Sequence, residues 1–346
     1  QVTELVNDGQ PEEAETRIKE AVMPRAANID LLFAPEDLGI LFNRKFDQDK
    51  GIPTGIKELD DRIIGLRSGE LGVALAPTGY GKSMFLIVCG VAAWKRGFNV
   101  VHFSFENTEE ETLKRYTTSM LGRSIDALAN EGGLKGVTVK QFFNEQEQLG
   151  SKIAISRLIG SRTDTVTLLA NLYSILDVYD FEPNLIIVDY GDLMIPTHFG
   201  NNKYEDMQSV FGELRDLATE IELPIWTATQ SNRDGLKAKR VKLDHISESL
   251  GKAMTADLIV SISRPEKDEA EDMGVELQDG DIAELRIVKF RRGEEGRAPI
   301  KVRTNFRLAR FDEIDRHELD ELEQEAADAA SKKSYNKKRK KSAQDD

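Results

Sequence analysis

Residues 76–83 read Ala76-Pro77-Thr78-Gly79-Tyr80-Gly81-Lys82-Ser83. These residue types, in this spacing, suit the binding of a nucleoside triphosphate. Gly79 and Gly81 let successive backbone N–H groups curl around phosphate oxygens, with Pro77, Thr78 and Tyr80 completing the loop. Lys82 can reach the β- and γ-phosphates, and the Ser83 hydroxyl can ligate Mg²⁺. Ala76 stands where a first glycine is usual. Two carboxylates and an amide extend the set. Asp189 closes the apolar run Leu185-Ile186-Ile187-Val188, and an acid there can hold magnesium through water. Glu106 follows Phe103-Ser104-Phe105 and can orient and polarise an attacking water. Its other reading is an acid at the positive end of the next helix. Gln230 ends the run Pro224–Thr229, where an amide can sense a γ-phosphate and pass its state onward. Its other reading is a polar turn residue.

These side chains need a scaffold that brings them to one place. Leu71 to Ala76 reads as a short apolar strand. Lys82 to Arg96 is apolar nearly all round, which predicts a buried helix. Asn99–Phe105 and Lys152–Leu158 read as strands, with a helix over Thr108–Leu121 that opens with acids. Thr165–Tyr179 reads as a helix, and Leu185–Asp189 as a strand. Met207, Phe211, Leu214, Ala218 and Ile221 recur at helical spacing over Tyr204–Ile221. Pro224–Thr229, Leu258–Ile262 and Ile282–Phe290 read as further strands. Alternating elements with continuous apolar strands imply an α/β fold, a parallel sheet covered by helices on both faces. In such a sheet the loop, Asp189, Glu106 and Gln230 share the carboxyl edge. The later strands, joined by short turns, point to an antiparallel extension at one edge.

The chain has 346 residues, for which length alone gives a prior of about two domains. Forty-seven Lys and Arg against 61 Asp and Glu give 47 − 61 = −14. Cys89 is the one cysteine, which excludes a disulfide scaffold or a cysteine-rich zinc module. In a buried helix it reads as inert packing. His102, His198, His245 and His317 have no metal-ligand spacing, and His102 reads as a core residue. The longest apolar run, Met84 to Trp94, is too short to span a bilayer, and no secretory signal is evident. A cytoplasmic setting follows. The opening Gln1, in place of Met, points to a cut or processed N-terminus.

Charge is unevenly distributed. From Ser331 onward seven cations face two acids, a tail of +5, so residues 1–330 carry −14 − 5 = −19. Just upstream, Asp312 to Asp328 holds nine acids. Directly after Gln230 come Arg233, Lys237, Lys239, Arg240 and Lys242, with Asp234 as the only acid in that stretch. Flexible cations at this point can grip strand phosphates and change grip on hydrolysis. The other reading is a solvated surface loop. Few aromatics lie there, which favours backbone tracking without sequence readout. Ile195 to Asn202 is a second channel candidate. Residues 1–50 read as an arm, helical over Val2–Met23 with a break at Asp8-Gly9.

Taken together these residues resemble the RecA-like ATPase domain of hexameric, DnaB-type replicative helicases, especially phage members. The resemblance runs from about Gly51 to Phe311. It rests on Ile52-Pro53-Thr54-Gly55-Ile56, Ser68-Gly69-Glu70, the loop Ala76–Ser83, and Phe103–Glu106. Val188-Asp189-Tyr190 with Leu193-Met194, Thr229-Gln230-Ser231-Asn232-Arg233, Ala256-Asp257-Leu258-Ile259 and Lys289-Phe290-Arg291 complete it. It implies a RecA-like P-loop NTPase fold, use of ATP and Mg²⁺, single-stranded DNA as track, a homo-oligomeric ring, hexameric in this family's pattern, and primase or a helicase loader as partner. It implies Glu106 as catalytic glutamate, Gln230 as γ-phosphate sensor, and Arg291 with Lys289 as the finger entering a neighbour's site. Two departures stand out: Ile64-Gly65 where two glycines are common, and Ser247 where an arginine is expected. The family's N-terminal domain has no counterpart here, and residues 1–25 look like the linker helix. The expected organisation is an arm over 1–50, the ATPase domain over 51–313 and an acidic then basic tail over 314–346. A DNA-pairing recombinase and a KaiC-like ring ATPase without unwinding activity remain as alternatives.

Overall fold

The structure, a computed structural model, describes residues 51–124, 150–231, 254–264, 277–293 and 298–314, with His317, Glu318 and Asp320. The expected arm, the basic stretch holding Arg233, Lys237, Lys239, Arg240 and Lys242, and the basic tail lie outside these residues.

The strands are β1 (Leu71–Ala76), β2 (Val100–Ser104), β3 (Ile153–Arg157), β4 (Leu185–Asp189), β5 (Ile225–Gln230), β6 (Leu258–Ser263), β7 (Ile282–Phe290), β8 (Ile300–Asn305) and β9 (Arg310–Glu313). Among the described residues they form one nine-stranded sheet in the order β3-β2-β4-β5-β1-β6-β7-β8-β9. From β3 to β6 every pairing is parallel, and from β6 to β9 every pairing is antiparallel. The helices are α1 (Lys57–Ile63), α2 (Lys82–Lys95), α3 (Glu109–Leu121), α4 (Thr165–Tyr179) and α5 (Lys203–Glu220). The apolar strands β1, β2 and β4 are buried at every residue, as a sheet covered on both faces requires. One core layer packs α1 and α2, through Leu59, Phe85 and Leu86, against Ala74, Ile187 and Trp226. The other packs Leu168 and Leu172 of α4 and Phe211 and Leu214 of α5 against Val73, Phe103 and Val188.

The sequence-based strands and helices recur with ends moved by a residue or two. Helix α1 and the hairpin β8–β9 were not individually evident in the sequence. Helix α1 is only seven residues long, too short for a periodic signal. It ends on Ile64 in the left-handed region, φ 59°, followed by Gly65 at φ 78°. A β-branched residue is strained there, which is why glycine is the commoner choice at that turn.

Gly90, inside α2, is a packing device. A Cβ built on it would lie 2.4 Å from the Tyr116 hydroxyl of α3 and 2.8 Å from its ring. Alanine gains about 1 kcal/mol of helix propensity, yet overpacking here costs about 1–3 kcal/mol. Gly90→Ala is therefore expected to lower the melting temperature, and Gly90→Ala with Tyr116→Phe to recover part of the loss. A melting temperature above the parent's would show that the ring moves aside freely.

Candidate active site

The register of the parallel strands decides what meets what. Ser104 of β2 pairs with Asp189 of β4, and Ala76 of β1 pairs with Gln230 of β5. Glu106, Asp189, Gln230 and the loop 76–83 therefore share one edge of the sheet.

The loop leaves β1 and turns into α2 with Gly79 at φ 78° and Gly81 at φ 90°. Gly81 is the N-cap of α2, so no side chain caps this helix, and its first turn holds no acid. Helices α3, α4 and α5 are each capped by a side chain, from Thr108, Asp164 and Asn202. The uncapped N–H groups and positive dipole end of α2 are open to an anion. Phe306 and Phe311, from the β8–β9 hairpin, pack beside Gly81, each 3.4 Å from where its Cβ would stand.

Lys82 donates to the carbonyl of its own Pro77 at 3.2 Å, and its Nζ lies 5.7 Å from the centre of the Tyr190 ring. Burial pulls its pKa below the ordinary lysine value, opposed by the charges of Asp192, Glu106 and Asp189. Both contacts are replaceable by phosphate oxygens. The Ser83 hydroxyl donates to Asp189 Oδ1 at 3.0 Å. Asp189 is 2% exposed. Burial raises its carboxyl to about 6, against the Ser83 hydrogen bond and the positive charge of Arg115. Glu106 is exposed at the end of β2, near enough for its charge to act on Lys82, Asp189 and Tyr190.

A magnesium ion fits this donor set. Ser83 and Asp189 offer hard oxygens side by side, and among the described residues no group of three His, Cys, Asp or Glu forms a full cage. Magnesium characteristically takes one or two protein oxygens and completes its shell with phosphates and water.

Behind Asp189 lies a pair whose chemistry the sequence alone did not reveal. His102 is fully buried; its Nδ1 is 2.9 Å from the Tyr116 hydroxyl and its Nε2 is 4.0 Å from Asp189 Oδ2. Burial and the charge of Arg115 drive its pKa down to about 3, so it is neutral. His102 is a core residue, as expected, and also the polar backing of a buried carboxylate. The signal was present as a histidine within an apolar strand.

Arg291 and Lys289 do not join this edge. Strand β7 runs antiparallel to β6, and Phe290 pairs with Leu258, which pairs in turn with Gly72 near the start of β1. Arg291 thus sits at the amino edge, about 17 Å of strand from the phosphate loop. Its guanidinium meets Asp257 Oδ1 at 3.2 Å, and its backbone N–H donates to the Asp257 carbonyl at 2.9 Å. Asp257 is buried, also accepts the Leu71 N–H at 3.0 Å, and pairs with Arg215. Lys289 donates to the Met254 carbonyl. The second channel candidate, Ile195 to Asn202, is tied back to α5. Thr197 donates its N–H and hydroxyl to Glu213, and the Gly200 N–H donates to Asp206.

A family model described as the DnaB-like helicase C terminal domain matches residues 51–313. The DnaB-like replicative helicase of Enterobacteria phage T4 is 30% identical over 213 residues, covering 59% of this chain and 44% of that protein. The replicative DNA helicase DnaB of Pasteurella multocida is 29% identical over 276 residues, covering 76% of this chain and 56% of that protein. The chain thus spans about half the length of these curated relatives. A solved DnaB-like replicative helicase, described with its interactions with primase, superposes with a TM-score of 0.66 at 17% identity. That match covers 91% of this chain and 74% of that one, and shows the RecA-like fold. With three quarters of its length matched, 263 of 346 residues, the chain belongs to the family of the DnaB-like helicase C-terminal domain.

Proposed function

We propose that the chain is the motor of a replicative DNA helicase, hydrolysing ATP between the subunits of a ring, hexameric in the reading we favour, to move along single-stranded DNA and part the duplex. The observation that carries this is the division of the site between two ends of one sheet. Lys82, Ser83, Asp189, Glu106 and Gln230 lie at the carboxyl edge, and Arg291 at the amino edge. An arginine that far from its own phosphate loop can complete only a neighbour's site, so hydrolysis needs an oligomer.

Within one interface, the loop from Pro77 to Ser83 cradles the phosphates, and Lys82 exchanges Pro77 and Tyr190 for phosphate oxygens. Ser83 and Asp189 would hold magnesium, which would supply positive charge against that of the phosphates. Glu106 orients the attacking water and accepts its proton. Gln230 touches the γ-phosphate. Arg291 from the neighbour, with Lys289, stabilises the charge developing on the transferred group. Arg233, Lys237, Lys239, Arg240 and Lys242 grip the DNA backbone. Residues 51–313 form this motor, 1–50 the docking arm and 314–346 the tail. Primase or a helicase loader is the proposed protein partner, in the cytoplasm of a bacterium or phage-infected cell. No helix among the described residues is long and apolar enough to cross a membrane.

The test measures ATPase with and without single-stranded DNA, then fork unwinding. Lys82→Ala should be inert in all three. Replacing Lys237, Lys239, Arg240 and Lys242 by alanine should keep DNA-free hydrolysis and lose both stimulation and unwinding. The log–log salt dependence of DNA affinity should flatten by about 3, from four phosphate contacts at about 0.7 each. Hydrolysis indifferent to DNA in the parent, without unwinding, would point instead to a ring ATPase that moves nothing.

A further inference from the structure

Asp192 is a carboxylate at the same edge with no part in the chemistry above. It lies in the 3₁₀ turn Gly191–Leu193 that follows β4. Its Oδ1 accepts the Thr229 hydroxyl at 2.8 Å, and its Oδ2 accepts the Gln230 N–H at 2.9 Å. Thr229 is fully buried, while Gln230 ends β5 with an exposed side chain.

The place of these bonds matters. The β4–β5 ladder stops at Val188 and Thr227. Past that point side chains take over the stitching. The Thr227 hydroxyl donates to the Val188 carbonyl at 2.8 Å and accepts the Gly191 N–H at 3.0 Å. Asp192 adds the next two bonds, at the two residues that end β5. On the other side, the Ser231 N–H donates to the Ala76 carbonyl at 3.1 Å, at the base of the phosphate loop. Residues 229–231 are thus clamped between the turn that follows Asp189 and the loop that holds the phosphates. A strand end without such bonds would absorb a side-chain swing by local rotation. A clamped one hands the movement to the chain beyond. The Asp192 carboxylate is also the foremost negative charge acting on Lys82.

We propose that Asp192 is a positioning residue that fixes the backbone of Gln230 to the phosphate-site turn, so that nucleotide occupancy is transmitted along β5 into the basic stretch from Arg233. This rests on the reading of Gln230 as sensor and of that stretch as the DNA grip. Charge and geometry can be separated. Asp192→Asn removes the charge that faces Lys82 but keeps an oxygen for the Gln230 N–H. Asp192→Ala removes both, and Thr229→Val removes the buried arm alone.

The experiment uses the full chain, with kcat and KM for ATP measured with and without a thymidine homopolymer, nucleotide affinity by a fluorescent analogue, and melting temperature as a control for folding. Losing hydrogen bonds to a charged group should cut DNA stimulation by about tenfold in Asp192→Ala. Thr229→Val should fall between Asp192→Ala and the parent, and Asp192→Asn should keep most of the stimulation. Both Asp192 variants should bind nucleotide equally, about threefold tighter than the parent, because a competing charge near Lys82 is gone. A folded Asp192→Ala with the parent's stimulation ratio overturns the proposal, as does equal loss in Asn and Ala. If Asp192→Ala fails to fold, an unaltered ratio in Thr229→Val has the same force. A parent unresponsive to DNA overturns the functional reading itself, and the coupling role with it, whereas a responsive parent with indifferent variants overturns the coupling role alone.

Discussion

Arg291→Ala should lower ATP hydrolysis by about a thousandfold, the scale of an arginine that stabilises phosphoryl transfer, while nucleotide affinity stays near the parent's. The separation of effects follows from the sheet. Arg291 lies beside the start of β1, at Asp257 and Leu71, whereas the loop proposed to hold the phosphates begins at its other end, Ala76. Removing it leaves the subunit's own pocket untouched. Its charge is held on Asp257 but the side chain remains 52% exposed, able to meet a neighbour. A mixing experiment makes the distinction sharp. Lys82→Ala subunits keep the finger and lose the loop, and Arg291→Ala subunits do the reverse. In equal mixture about a quarter of the head-to-tail interfaces combine an intact loop with an intact finger, so two inert proteins should together recover activity. A mixture as inert as its parts would exclude action between subunits.

Asp189→Asn should act in two opposite directions. Hydrolysis should fall by about a hundredfold or more, because the carboxylate proposed to hold magnesium, and its charge, are gone. Stability of the nucleotide-free protein should rise. The fold holds this carboxyl near 6, against about 3.9 when unfolded, because burial outweighs the Ser83 bond and Arg115. The unfolded chain therefore releases this proton first. Stability from the protonated form is present in full below about pH 3.9 and is lost as pH rises to about 6. Above that, asparagine should be the more stable by up to about 3 kcal/mol, with the gap closing as pH falls toward 4. Denaturant melts of both proteins at pH 4, 5, 6 and 7 without magnesium check this. A constant difference across the series would mean that Asp189 titrates normally.

Much of the site could be read from the sequence, because its parts are local. The loop needs glycines at fixed offsets before a helix, and Asp189 advertises itself by ending an apolar run. The alternating α/β pattern then implies a parallel sheet with these residues at its carboxyl edge, while strand order and register come from the structure. What stayed hidden depends on pairing between distant segments. That Asp192 reaches Gln230 follows from where the β4–β5 ladder stops. That His102 backs Asp189 follows from strand register and from Gly90 making room for Tyr116. The remoteness of Arg291 from its own loop follows from the turn to antiparallel pairing at β6–β7. None of these has a short-range signature. Ile64 is the converse case, a visible departure whose meaning, a left-handed residue without glycine, only the backbone supplies.

On the proposed action of Arg291 in a neighbour's site, the separation of Lys82 and Arg291 to opposite ends of the sheet would give each subunit a giving face and a receiving face. Two copies related by a two-fold axis would press like against like and hydrolyse nothing. Only a procession in which every subunit looks the same way would then be competent, and such a procession would have a built-in sense of direction of its own. Diluted subunits, lacking a successor, should then stay idle, so the protein's own concentration would act as its throttle.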